Sequence, residues 1–154
     1  MTFLRTSSGI GVMRRSVVSL MLLLALGNIG CSKGPNLPRV KGTLVVDGKP
    51  AAGANLLFFT PGQRGGVVPS ANTSADGTFE IITNANPGVS PGSYNVTIVW
   101  HDPAKIEEAR KDSSGKSDPP DLLSGKYSVP DKSPLKAEIT SATKQLPPFE
   151  LSTK

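Results

Sequence analysis

Apolar residues in this chain recur at every second position in short runs, and each run is closed by Gly, Pro or an Asp-Gly pair. Arg39 to Val46 alternates and is rich in branched side chains, the pattern of a half-buried strand. Asp47-Gly48 then offers the positive φ of a tight turn, and Lys49-Pro50 is expected to end any ladder. Ala54 to Thr60 reads as a second strand, stopped by Pro61-Gly62. A flexible Gln63-Arg64-Gly65-Gly66 loop leads to a third extended piece from Val67 toward Thr73. After the Asp76-Gly77 turn, Thr78 to Thr83 is expected to form one strand, with Phe79 and Ile81 inward and Thr78 and Glu80 outward. A Gly/Pro loop from Gly88 to Gly92 precedes the clearest alternation of all. There Tyr94, Val96, Ile98 and Trp100 share one face, and Asn95, Thr97 and Val99 share the other.

Residues 101–134 break this rhythm. Asp102-Pro103 can open a helix, and Ala104 to Lys111 has room for two turns with acid-before-base pairs. The stretch from Ser113 to Pro120 is polar, with Gly115 and a Pro pair, so the segment is expected to be a long loop or a short helix insertion. Two more strands follow, near Leu135 to Thr140 and Phe149 to Ser152. The expectation is all-β, about seven strands in a sandwich, because no helical segments separate the strands as a parallel sheet would require.

The beginning of the chain has a different pattern. Arg14-Arg15 precedes an apolar run of about eleven residues, Ser16 to Leu26, ended by Gly27-Asn28. A charged head and an apolar run of this length fit a secretory signal and fall well short of the ~20 residues of a spanning helix. Met13 is an alternative start, since residues 1–12 add little to the signal. The run closes on Gly27-Asn28-Ile29-Gly30-Cys31, which resembles the lipobox of bacterial lipoproteins. Gly30 and Cys31 match it, Ile29 is acceptable, and Asn28 stands at −3 where the box usually has Leu. The resemblance implies lipidation of Cys31, the only cysteine, and attachment to a membrane through the lipid. Ordinary cleavage nearby, leaving a free thiol, is the alternative. Residues 1–30 are thus read as a signal peptide with a signal helix, 31–38 as a polar tether, and 39–153 as the folded domain.

That division changes the meaning of the charge. The whole chain has 17 basic and 12 acidic side chains, but Arg5, Arg14 and Arg15 belong to the signal, leaving a net of +2 on the mature part. The remaining bases are scattered and lack aromatic platforms, so nucleic-acid binding is not expected. A single cysteine excludes an internal disulfide.

The order Val40-x-Gly42, Asp47-Gly48-Lys49-Pro50, Gly53-Ala54, Phe58-Phe59, Asp76-Gly77-x-Phe79 and Pro91-Gly92-x-Tyr94-x-Val96 resembles the carboxypeptidase regulatory-like family over residues 39–100. Lys126-Tyr127, Ser133-Pro134-Leu135 and Phe149-Glu150-Leu151 are similar to the tail of small bacterial lipoproteins of that group. The resemblance implies a seven-stranded Ig-like, prealbumin-like (transthyretin-like) β-sandwich. It implies no peptidase activity, since the family is named for an accessory domain, and its motifs have structural causes in turns and core aromatics.

Candidate chemistry is sparse. His101 is the only histidine, which excludes a His-pair metal site and, with one cysteine, a zinc site. Ring-hydrolysing enzymes of transthyretin-like fold use several histidines and a C-terminal motif, both missing here. Asp112, Asp118, Asp121 and Asp131, with Ser113 and Ser114, make a calcium loop conceivable, but without EF-hand spacing. The adjacent Glu107 and Glu108 point to different helix faces and form no carboxylate pair. Trp100 and Tyr94 could stack on a sugar, although their period of two favours core packing. Asn72-Thr73-Ser74 and Asn95-Val96-Thr97 fit a glycosylation sequon, a coincidence beside a bacterial lipobox. No cofactor and no metal is expected. The reading is a non-catalytic, exported, lipid-anchored module of the cell envelope that contacts protein or polysaccharide, with the 101–134 segment as its candidate surface. The alternative is a hydrolase using His101 and the loop carboxylates, and an edge-strand assembly subunit is a third possibility.

Overall fold

The computed structural model describes residues 37–111 and 119–154. Cys31, Asn28, the signal segment, the tether up to residue 36, Asp112, Ser113, Ser114 and Asp118 lie outside the described residues.

Alternation drives the first strand. In β1 (Lys41–Val46), Leu44 and Val46 are buried while Lys41 is exposed and Thr43 and Val45 are only partly covered. β1 is the centre of a four-stranded sheet. On one side β10 (Phe149–Leu151) runs parallel to it, with Leu44 opposite Phe149 and Val46 opposite Leu151. The other side is divided between β5 (Thr78–Glu80), which pairs with Lys41 to Thr43, and β2 (Lys49–Pro50), which pairs with Val45 and Val46. Asp47 and Gly48 both take positive φ (48° and 77°), which lets β1 fold straight back into β2. Lys49-Pro50 therefore continues the ladder rather than ending it. Pro50 is tolerated because β2 lies at the sheet edge, where no further strand needs its missing N–H.

The second sheet is antiparallel throughout and has six strands in the order β7-β6-β4-β3-β8-β9. Its centre is β3 (Asn55–Phe59) against β8 (Gly92–Val99), in register from Asn55 opposite Val99 to Phe59 opposite Asn95. β4 (Ser70–Asn72), β6 (Ile82–Thr83) and β7 (Asn86–Pro87) extend one side, and β9 (Lys136–Ile139) forms the other edge.

Each of the seven expected strands has a counterpart, but one of them divides. Thr78 to Glu80 belongs to the small sheet and Ile82-Thr83 to the large one, so the chain changes sheets at fully buried Ile81. Phe79 and Ile81 both face inward, as the alternation requires. The division, with β2 and β7, brings the total to ten strands among the described residues. β6 and β7 are joined by Asn84-Ala85, both at positive φ (51° and 62°). A β-carbon is penalised there, so Ala85→Gly is expected to stabilise the domain by about 1 kcal/mol. An unchanged or lower urea midpoint would show that this hairpin contributes nothing to global stability.

Both sheets turn their apolar faces to one core, which includes Val40, Leu44 and Phe79 from the small sheet's side and Leu56, Phe58, Tyr94, Val96 and Ile98 from the large sheet. The Phe58 ring meets Tyr94 edge-on at 6.3 Å and Phe79 at 6.4 Å, and Phe79 stacks on Phe149 at 6.2 Å. Among the described residues the architecture is all-β, two sheets around one core, with one short helix.

That helix, α1 (Pro103–Lys111), is the short-helix outcome for the 101–134 insertion. Asp102 caps it, its Oδ1 accepting from the Ala104 N–H at 2.9 Å and its carbonyl from Ile106 at 3.0 Å. One ion pair on its surface joins Lys105 to Glu108 at 2.9 Å.

Candidate functional site

The insertion rejoins the domain at Asp121. Its Oδ1 accepts from the backbone N–H of Trp100 (2.9 Å) and of Leu123 (3.1 Å), and its Oδ2 from that of Gly125 (2.8 Å). Ser124 and Gly125 at positive φ wrap the backbone around the carboxylate. From there the chain follows the edge of β8: Leu122 donates to the Trp100 carbonyl at 2.7 Å, and the carbonyls of Tyr127 and Leu135 accept from Ile98 and Val96 at 3.0 and 2.9 Å. Leu123 and Tyr127 sink into the core. Ser133, 3 % exposed, donates through its hydroxyl to the Val96 carbonyl at 2.6 Å. Residues 121–135 therefore form a bonded arm that supplies the partners a longer β9 would have supplied.

The candidate residues among the described ones can be placed on this frame. Asp121 has its oxygens turned to backbone amides, an arrangement that competes with a cation for the same lone pairs. Asp131 is exposed, and no group of three or more His, Cys, Asp or Glu among the described residues could hold a metal ion. His101 lies between β8 and α1. Its Nδ1 is buried without a hydrogen-bond partner, so neither Asp121 nor Asp102 bonds to that nitrogen. The two aromatics proposed for sugar stacking are occupied. Tyr94 is buried and donates its hydroxyl to the Ser90 carbonyl at 2.7 Å, with burial pushing its pKa up. Trp100 packs against the core and donates its indole N–H to the Ala52 carbonyl at 2.9 Å. Asn72 and Asn95 sit within strands, their side chains bonded to Asn55 and Lys136; the sequon hydroxyl of Thr97 is buried, whereas that of Ser74 is exposed.

Three carboxylates are held below their ordinary range by specific donors. Glu80 is lowered by the Arg39 guanidinium, which reaches it at 2.6 and 3.0 Å. Asp76 is lowered by the hydroxyl and N–H of Thr78. Asp47 is lowered first by the Thr153 hydroxyl, which ties the β1–β2 turn to the end of the chain. All three are structural clasps.

The surface feature that sequence reasoning missed is a groove of about 460 Å³ between the edges of the two sheets. Pro134, Leu135 and Ala137 line it from the β9 side, and Leu146, Pro148 and Phe149 from the β10 side. β9 and β10 are each outermost in their sheet, so two strand edges bound it. The available signal was Pro134 and Pro147-Pro148, each placed just ahead of a strand. A second concavity of about 600 Å³ lies beside Tyr127, Gly48 and Glu150.

Neither a scan against protein-family models nor a search of the curated proteins finds a match to this chain. Among the described residues no helix is long and apolar enough to cross a membrane.

Proposed function

We propose that this chain is a non-catalytic, lipid-anchored β-sandwich of the bacterial cell envelope whose task is to contact an envelope protein. The sandwich is of the Ig-like, transthyretin-like kind, related to carboxypeptidase regulatory-like domains, and the anchor is a diacylglyceryl group on Cys31. The observation that carries the contact role is the arm at 121–135. Bonded along β8 and capped by Asp121, it gives the insertion a rigid base, and loops on rigid scaffolds are where recognition concentrates. Protein is favoured over polysaccharide because Tyr94 and Trp100, the aromatics suited to a sugar ring, are committed to the interior and to Ser90 and Ala52. The groove between two strand edges, by contrast, suits an extended peptide.

Removal of residues 104–120, from α1 to just before the arm, is the test. Crosslinking and pull-down from envelope extracts are expected to lose the main partner in the deleted chain while its thermal midpoint stays within a few degrees. A deleted chain that keeps every partner removes the insertion from the recognition surface. Mass spectrometry of the mature N-terminus tests the anchor, and an unmodified residue near Cys31 would end that part of the reading. Turnover on a hydrolase panel, abolished by His101→Ala, would replace the non-catalytic reading.

A further inference from the structure

Net charge differs between the two ends of the strand axis. Arg39, Lys41 and Lys144 gather at the end where the chain enters: the Lys41 N–H donates to the Lys144 carbonyl at 3.0 Å, and Arg39 leads directly into β1. The loop after β3 projects toward the same end, because Phe59 pairs with Asn95 while β8 begins at Gly92. That loop carries Arg64 and Val67, the latter 50 % exposed. The acids at this end are Glu80, engaged by Arg39, and Glu138, which accepts the Ser93 hydroxyl at 2.7 Å. Asp47, Asp76, Asp102 and Asp121 lie at the opposite end, with the β1–β2 turn, the start of α1 and the end of β8, where Lys49, Lys105, Lys126 and Lys154 offset their charge.

We propose that the Arg39–Lys41–Lys144 end is a docking surface for anionic phospholipid headgroups, which holds the domain upright with its insertion pointing away from the membrane. The inference rests on the lipid anchor at Cys31. Two observations choose this occupant. The first is reach. Pro38 is fixed to this end by its carbonyl, which accepts from Val89 at 3.1 Å, and Leu37 lies against Gly88. Only five residues of chain lie between Cys31 and Leu37, so the six steps from one to the other span at most about 22 Å. The second is sign. This end carries the net positive charge, and charges farther than about 8–10 Å from the headgroups are screened at physiological salt. Basic side chains within that layer each strengthen attachment to an anionic surface by about fivefold.

The test uses the full mature chain in vesicles of phosphatidylcholine or of an equal mixture with phosphatidylglycerol, each carrying a headgroup spin label. Cys31 is the only cysteine, so a dye on Ser141→Cys reports the basic end and one on Ser128→Cys the far end. Quenching at Ser141→Cys is expected to rise several-fold in the anionic vesicles and to fall back in about 1 M salt, while Ser128→Cys stays dark to the quencher in both. Lys41→Gln with Lys144→Gln, at exposed positions, is expected to weaken the anionic preference by about 25-fold. Equal quenching in the two vesicle types, or stronger quenching at Ser128→Cys, overturns the docking surface. The intact mass of the same sample separates the two claims: a chain without the diacyl mass overturns the anchor and this orientation with it, whereas a diacylated chain with equal quenching overturns the orientation alone.

Discussion

Gly42→Ala is expected to destabilise the domain by about 3 kcal/mol and Gly42→Val by more, a large share of the ~5–15 kcal/mol typical of a domain. Propensity alone gives the opposite sign, since a glycine inside a strand is ordinarily worse than alanine by about 0.5–1 kcal/mol. The reason is Phe79. It is the register partner of Gly42, and its ring lies across the β1 backbone, so a β-carbon at position 42 would stand 2.3 Å from Phe79 Cζ and under 3 Å from both Cε atoms. Such a separation is impossible, and the obstacle is a buried ring wedged between Phe58 and Phe149 rather than the free tip of a flexible chain. Moving the ring forfeits much of the ~3–5 kcal/mol that removing a core phenylalanine costs. It also disturbs Phe149, and with it the parallel pairing of β10 to β1. A double-mutant cycle with Phe79→Leu checks the mechanism. Leucine vacates the ring's place, so the pair should be less damaging than the sum of the single changes by about 1–2 kcal/mol. Additive costs in urea denaturation, or a stabilised Gly42→Ala, would show that the ring finds another place at little cost.

Gly42 also marks the boundary of what the sequence makes legible. That Arg39 to Val46 is a strand, that Asp47-Gly48 turns, and that Tyr94, Val96 and Ile98 point inward all follow from period two and from turn chemistry, which are local properties. That Gly42 faces a phenylalanine from Thr78–Glu80 is a matter of partner choice, which alternation does not encode. The same limit explains the other differences. One alternating run, Thr78 to Thr83, serves two sheets because Ile81 can be buried between them, and nothing in the run itself marks the change. β1 and β10 pair in parallel across the length of the domain, an arrangement with no local signature. Asp121 reads as a loop acid of possible calcium chemistry until its three amide donors, two of them within four residues and one on Trp100, are seen to converge on it. The groove is less legible still, since it exists only where the edges of two sheets come together.

Thr73→Val should cost about 3 kcal/mol, and Thr73→Ser only about 1 kcal/mol. Valine is apolar, close to threonine in shape and a good strand former, so burial and propensity alone favour it at a position only 6 % exposed. The hydroxyl reverses that order. It donates to the Ala51 carbonyl at 2.5 Å and accepts from the Ala54 N–H at 2.8 Å, while the backbone of Thr73 accepts from Gly53 and donates to Ala54, both at 3.0 Å. Residues 51–54 are the link that carries the chain from β2 in the small sheet to β3 in the large one. Beyond the Ala51 N–H, which reaches the Leu44 carbonyl of β1 at 3.3 Å, the link leaves the small sheet's ladder, so its other polar groups need partners elsewhere. Thr73 supplies them on one side and the Trp100 indole supplies the Ala52 carbonyl on the other. Valine strands a buried acceptor and a buried donor, each worth about 1–3 kcal/mol. Serine keeps both bonds and loses a methyl group. The decisive measurement is the order of the two variants in chemical denaturation, because it inverts the hydrophobic ranking. If valine matches or exceeds serine, the connection between the sheets is held by packing alone, and the hydroxyl is incidental.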